Sequence, residues 1–406
     1  MTKGEIAMRS NEQSAEVKKR CAVWGTNSVG QQAASMARET GYEVAAFCRS
    51  TYSEEKSRLG DLPIVTPSEL KRLYDKNEIN WIIIGIRNPV YVKEVDETLH
   101  NLFTGDAPII SLDEIENEYL RRIHRELQHR WEIDFQNYAK NWLQNFMSEV
   151  KFWAEYVAED SGIYHQNYLR CLENREFNGI FTTCGEIMET LKADLVVMDI
   201  GCGLVSKYGN VLPDGQEVKL LPVDPLAPFY NRINEQYSQG KYHAVQFGLF
   251  EFIADFYERN YCDLVLINNA LDHCIDPYKS LIECLYIVKK NGKIRLSHRR
   301  AEALYEAYNG LHKWNMDFNE ENQFIIWNTE NAINVSTELR EICDIQVVGS
   351  EENCPRAEQW MTAYITKTND FPLEQFIDLE RERYDLAFFV KQLMEKLAEQ
   401  PADYLQ

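Results

Sequence analysis

The stretch Leu195-Val-Val-Met-Asp-Ile-Gly-Cys-Gly203 decides the fold class of this chain. A short apolar run bounded by a turn reads as a buried strand. It ends at Asp199, and Gly201 and Gly203 then make a tight turn where a ligand can approach bare backbone. Further on, Leu220-Leu-Pro-Val-Asp224 repeats the pattern of an apolar strand ending in a carboxylate. A glycine turn after one parallel strand and an acid at the tip of the next frame a pocket for a nucleoside with ribose hydroxyls.

Working outward, strands are expected at 195–199, 219–223, 243–247, 262–267 and 292–297, with helices between them. One of these helices runs from Pro277 to Lys289 and stops at Asn291-Gly292, as helices do. A helix from Asn331 to Ile342 follows. Two strand-like runs, Asp344 to Ser350 and Gln359 to Lys367, flank a loop with Pro355. The tail from Pro372 to Glu399 reads as an amphipathic helix through Ile377, Tyr384, Phe388 and Lys391.

The string Asp199-Ile-Gly-Cys-Gly203, followed by Val223-Asp-Pro-Leu-Ala227, resembles the cofactor site of class I S-adenosylmethionine-dependent methyltransferases. The resemblance covers residues 194–367. It implies a parallel sheet closed by an antiparallel strand pair, with S-adenosylmethionine as cofactor. It also implies roles. Asp199, Gly201 and Gly203 border the amino-acid tail, and Asp224 accepts the ribose diol, since one carboxylate can take both hydroxyl protons. The segment Phe247 to Glu251 forms an adenine slot with Glu251 as its acid. Asn268 and His273, in the string Asn268 to Pro277, face the methyl group. One departure is Val205, which stands where the family's glycine motif has its third small residue.

After the fifth strand come Ser297-His-Arg-Arg-Ala-Glu302 and Gly310-Leu-His-Lys-Trp314. Strand ends in this kind of sheet point at the ligand crevice. His298 or His312 is expected to be the general base, with His273 third, because a histidine near neutral pKa can take a hydroxyl proton. Glu302, Tyr308 and Trp314 are expected to contact the acceptor, the two rings by stacking on a sugar face. A metal-assisted variant would need clustered acids near the methyl, for which Asp272 and Asp276 are the candidates; their spacing alone is not specific, and no metal is expected.

The N-terminal part reads as a second open α/β unit. Strands at Lys19 to Trp24, Tyr42 to Cys48, Ile64-Val65, Trp81 to Gly85 and Pro108 to Ser111 alternate with helices. Its turn, Gly25-Thr-Asn-Ser-Val-Gly30, lacks the middle glycine of a dinucleotide fingerprint, and no acid ends the second strand. The string Gly60 to Leu70 resembles the small Rossmann-like module found beside sugar-modifying enzymes of surface-glycan pathways. That likeness implies either a nucleotide or nucleotide-sugar site, where Arg49 would meet a phosphate, or a degenerate module kept for architecture. Between the two units, Leu120, Ile123, Leu127, Trp131, Phe135, Tyr138, Trp142 and Phe146 recur at helical steps. Such a face packs on the flanking domains or forms a homodimer contact.

Composition narrows the partners. With 64 acids against 43 bases, the formal net charge of −21 repels nucleic-acid backbones. No apolar run is long enough to span a membrane. Residues 1–17 are polar, and Met1 to Ser14 lack the apolar core of a secretory signal. Ten cysteines without a CxxC pair read as reduced thiols of a cytoplasmic protein.

The expected architecture is therefore α/β, with two Rossmann-like units joined by a helical segment. The parts are a nucleotide-binding-type module over 18–115, a helical cap over 116–193, a class I methyltransferase domain over 194–368 and a C-terminal helix over 370–400. The expected activity is O-methylation of a sugar, nucleotide sugar or glycan precursor. The alternatives are an inactive methyltransferase fold that binds nucleotides as a scaffold, and an N- or C-methyltransferase for another small molecule.

Overall fold

The computed structural model describes residues 19–50, 57–103, 109–123, 125, 130–158, 163–177, 195–349, 359–376 and 382–400. The expectations placed on residues 1–17, Leu127, Pro355 and Ile377 fall outside this set. The chain divides into two compact units, Met1–Arg122 and Ile123–Gln406. The first therefore extends past residue 115 to include a helix that the sequence reading gave to the cap.

In the first unit the strands are β1 (Lys19–Trp24), β2 (Tyr42–Cys48), β3 (Arg58–Leu59), β4 (Leu62–Val65), β5 (Trp81–Ile84) and β6 (Ile109–Ile110). The helices are α1 (Ser28–Glu39), α2 (Pro67–Asp75), α3 (Pro89–Leu102) and α4 (Leu112–Arg122). The sheet order is β3-β4-β2-β1-β5-β6, parallel except for the β3–β4 hairpin. Within Gly60 to Leu70, Thr66 and Glu69 close a capping box that starts α2. The glycines of the first turn are needed by the chain itself. A Cβ on Gly30 would lie 2.2 Å from the Gly25 carbonyl oxygen, and one on Gly25 would lie 2.5 Å from that of Gly85.

The second unit begins with α5 (Phe135–Ala158) and α6 (Ile163–Glu173). The aromatic stripe does not lie on one helix: Leu120 belongs to α4 of the first unit, Trp131 precedes α5, and Phe135, Tyr138, Trp142 and Phe146 lie on α5. On α5, Trp142, Phe146, Val150, Ala154 and Val157 are buried in the core of this unit, which is what the periodicity serves. Seven strands form its main sheet: β7 (Val196–Ile200), β8 (Lys219–Asp224), β9 (Gln246–Phe247), β10 (Cys262–Asn268), β11 (Val288–Arg299), β15 (Cys343–Gly349) and β16 (Trp360–Lys367). Their order is β15-β16-β11-β10-β7-β8-β9. β16 runs antiparallel to both β11 and β15, and the remaining pairs are parallel. Val197, Met198 and Ile200 on β7, and Val265 to Ile267 on β10, are fully buried, as central strands covered on both faces must be. The helices α7 (Ala227–Tyr237) and α8 (Pro277–Ile287) connect these strands.

Three expectations are corrected here. Helix α8 ends at Ile287, not Lys289, because β11 already begins at Val288; Asn291, at φ 65°, and Gly292 instead shape an irregularity in the β10–β11 register. The helix expected over Asn331 to Ile342 is mostly absent. A small antiparallel sheet of β12 (Asn315–Phe318), β13 (Phe324–Trp327) and β14 (Ala332–Asn334) occupies its start. After the one-turn helix α9 (Glu302–Tyr305), the next helix, α10 (Val335–Glu338), is also one turn, started by the Asn334 side chain accepting from Thr337 N. The last helix, α11, spans Glu382–Ala398 only. It buries Ala387, Val390, Met394 and Ala398 and leaves Phe388 exposed, so its apolar face is rotated from the one read in the sequence.

Candidate active site

The parallel strands β7, β8 and β10 end at a cavity of about 320 Å³, a size that suits a small ligand. Asp199, Gly201, Gly203, Asp224, Glu251, Asn268 and His273 all line it. Gly201 and Gly203 have φ of 70° and 67°, the left-handed region that glycine adopts freely. A Cβ on Gly201 would meet the Ala270 Cβ at 2.4 Å, so the turn after β7 is pressed against the end of β10. Over Gly203 lies the Trp153 ring, whose nearest atom would be 3.1 Å from an added Cβ.

Asp224 sits at the tip of β8. Its Oδ2 accepts from Gly203 N at 3.1 Å and its Oδ1 from Leu226 N at 2.8 Å. Each oxygen keeps a lone pair for a further donor, which fits a ribose diol. Burial pushes this carboxyl up to about 7, against the pull of the two backbone donors. Asp199 is pushed up to about 6 by burial, held back by Ser206 and the charge of Lys207. Burial in turn lowers the Lys207 ammonium to about 8. Lys207 Nζ donates to Asn268 Oδ1, joining the glycine loop to the end of β10.

Glu251 is placed differently from its expected adenine role. One of its oxygens accepts from the backbone N–H groups of Ile275 and Asp276. It therefore fixes the loop after β10, while Leu249, Phe250 and Ile275 give the cavity its apolar side.

The region after β11 holds the larger corrections. His298 is completely buried and does not line the cavity. Its Nε2 meets Asp272 Oδ1 at 3.0 Å and its Nδ1 meets the Arg299 carbonyl at 2.7 Å. Burial lowers the pKa of this imidazole, but the Asp272 carboxylate outweighs that and raises it overall. A base enclosed in this way cannot touch an acceptor, so His298 orients Asp272 instead. His312 Nδ1 lies 2.6 Å from Asp272 Oδ2, and the same carboxylate lifts it to about 9 against burial. Despite its own burial, Asp272 is held well below the usual carboxylate range by the histidines around it. His273, ranked third in the sequence, is the histidine on the cavity wall.

None of the expected acceptor contacts lines the cavity. Trp314 is 0 % exposed and lies between Trp131 and Tyr138, each 5.0 Å away centroid to centroid, while its Nε1 donates to the Cys274 carbonyl. It is a core residue and cannot stack on a sugar. Glu302 is buried, with Oε2 3.9 Å from His298 Nδ1. The Tyr308 hydroxyl accepts from Asn315 Nδ2. Between β11 and α9 the backbone passes through Ala301 in the left-handed region, at φ 51°.

Sequence reasoning missed the opposite wall. Trp142, Glu149, Trp153 and Tyr156 of α5, and Asn167, Tyr168 and Cys171 of α6, all line the cavity. The aromatic density of the α5 stripe was the available signal, but it could not say whether the rings faced a core or a ligand.

Residues 198–296 match a methyltransferase domain. The matched stretch runs from β7 to β11 and holds the glycine turn, Asp224, Asn268, Asp272 and His273. It stops short of His298 and His312. Comparison with curated proteins finds no match. Among solved structures, the CurJ carbon methyltransferase is similar at 16% identity and a TM-score of 0.32, over 45% of this chain and 51% of that one. This chain thus spans about half of that relative's length. The DszA carbon methyltransferase is similar at 14% identity and a TM-score of 0.32, over 45% and 50%. The 1,6-didemethyltoxoflavin-N1-methyltransferase of Burkholderia thailandensis, solved with 1,6-didemethyltoxoflavin and S-adenosylhomocysteine, is similar at 14% identity and a TM-score of 0.28, over 43% and 72%. Among the described residues, no helix is long and apolar enough to cross a membrane.

Proposed function

We propose that this chain is an S-adenosylmethionine-dependent methyltransferase acting on the hydroxyl of a small acceptor such as a sugar or nucleotide sugar. The cavity at the ends of β7, β8 and β10 carries the reading. Its residues suit each part of the cofactor. The ribose diol would donate to Asp224, the apolar side at Leu249, Phe250 and Ile275 would take the adenine, and the Gly201–Gly203 turn with Asp199 and Lys207 would hold the amino-acid tail. When bound, S-adenosylmethionine supplies an electrophilic methyl group.

Methyl transfer asks the protein mainly for alignment. The acceptor would enter between Asn268 to His273 and the aromatic wall of α5, where Trp153 and Tyr156 offer flat faces and Glu149, Asn167 and Lys207 offer polar atoms. That mixture supports a hydroxylated acceptor. Calorimetry with S-adenosylhomocysteine tests the cofactor. A screen of sugars and nucleotide sugars with methyl-labelled cofactor then tests the acceptor. Absence of binding heat in correctly folded protein would sink the proposal. Transfer to amine or carbon acceptors alone would remove its hydroxyl part.

A further inference from the structure

Three lone-pair atoms converge beside the cavity. Asp272 Oδ2 is 2.6 Å from His312 Nδ1, His312 Nδ1 is 3.1 Å from His273 Nε2, and His273 Nε2 is 3.7 Å from Asp272 Oδ2. Hydrogen bonding alone explains this poorly. His312 Nδ1 can make only one of its two close contacts as a hydrogen bond, donating to Asp272 Oδ2 or accepting from His273 Nε2, and the 3.7 Å separation is too long for a bond between the other two. A single ion explains it better. Ligands held at roughly 2.0–2.2 Å from one ion lie roughly 2.8–3.6 Å from each other; the 3.1 Å separation falls inside that range, and 2.6 and 3.7 Å lie just beyond its two ends. We propose that Asp272, His273 and His312 form a facial site for a divalent transition-metal ion on the acceptor side of the cavity.

The surroundings are built as such a site requires. A ligating carboxylate needs a partner on its other oxygen, and His298 Nε2 holds Asp272 Oδ1 at 3.0 Å. His298 is itself fixed by the Arg299 carbonyl. The two ligand-bearing segments are tied together, since Lys313 N donates to the Asp272 carbonyl and Trp314 Nε1 to that of Cys274. Asp272 is sealed, while the His273 and His312 side chains keep 21 % and 26 % of their surface, which leaves a route for an ion. Asp272, His298 and Glu302 also approach one another, but all three are buried, which leaves that group without an open route.

Two imidazoles and one carboxylate on one face favour Zn²⁺, Fe²⁺, Co²⁺ or Mn²⁺ over Mg²⁺ or Ca²⁺ and leave coordination positions open. His273 lines the cavity, so an acceptor oxygen would take an open position, where the ion would lower its pKa. Only this last role rests on the methyltransferase reading; metal binding does not.

The test uses the full chain, stripped with chelator and titrated with Co²⁺ alone. We expect one saturable equivalent, seen as a visible ligand-field spectrum without sulfur-to-cobalt charge transfer. His273→Ala and His312→Ala should each weaken it by more than about 100-fold, beyond the 10–100-fold of a lost supporting contact. His100→Ala, an exposed histidine of the first unit, should leave it unchanged. Circular dichroism confirms folding of each variant. No saturable binding, equal binding in all variants, or a thiolate spectrum overturns the proposal. Binding of S-adenosylhomocysteine to the stripped protein is measured alongside. If that binding persists while cobalt binding fails, the metal site alone is refuted; if it fails while cobalt binds, the cofactor reading is refuted.

Discussion

Replacing Asp224 by asparagine is the sharpest probe of the cofactor site. The carboxyl is 6 % exposed, and burial lifts it to about 7, with Glu149 and Asp199 adding to the lift and Gly203 N and Leu226 N opposing it. An unfolded aspartate titrates near about 3.9. Because the folded value is the higher one, ionisation opposes folding. The free protein loses stability as pH rises from about 4 to about 7, by up to roughly 4 kcal/mol, and is level above that. A ribose diol donating two hydrogen bonds favours the ionised form, so ligand binding must strengthen as pH rises through this range. The ionised fraction is about one half at pH 7 and about one tenth at pH 6, so affinity for S-adenosylhomocysteine should fall about fivefold between them. The Asp224→Asn variant would lose charge-assisted bonds worth about 1.5–3 kcal/mol, roughly 10–150-fold in affinity. The introduced amide would also turn a donor toward the N–H of Gly203 or Leu226. Calorimetry at pH 6 and 7 on wild type and variant, with circular dichroism as a fold check, reads both effects. The difference between the two proteins isolates Asp224 from Asp199, whose carboxyl is lifted to about 6. A wild-type affinity that is flat from pH 6 to 7, or a variant within about threefold of wild type, refutes the reasoning.

Gly201→Ala combines a strained φ of 70° with a 2.4 Å contact to Ala270, and should cost about 2–4 kcal/mol in chemical denaturation; a loss under about 1 kcal/mol would show that the loop yields. Trp314→Ala should cost about 3–5 kcal/mol as a core cavity. The milder Trp314→Phe should leave the acceptor KM unchanged, and a large rise in KM would return that ring to the acceptor site. Lys207→Met removes the cation beside Asp199 and should weaken S-adenosylhomocysteine binding at pH 7 about tenfold. Unaltered affinity would exclude Lys207 from the ligand site.

Much of the second sheet was legible because its signals are local. Apolar runs at 195–199, 219–223 and 262–267 fall on β7, β8 and β10, and buried strands need little more than such a run with a turn after it. Asn331 to Ile342 misled because its apolar spacing fits a helix, while β-branched residues and the Asn334 cap favour a strand and a single turn. The tail helix misled by its face, since periodicity shows that a helix has an apolar side but not which neighbour selects it.

The sequence by itself determined the parallel α/β units, the glycine turn and the acid at the tip of β8. These depend on residues adjacent in the chain, where strand, turn and carboxylate follow one another within a few positions. Tertiary structure alone decided which histidine meets the cavity. His273, His298 and His312 look equivalent in the sequence, but the fold brings the end of β10, the end of β11 and the segment before β12 together, so that all three surround Asp272. It also turned Trp314 into core and the rings of α5 into a cavity wall. A side chain's exposure depends on what distant segments pack against it, and a local pattern carries no record of that.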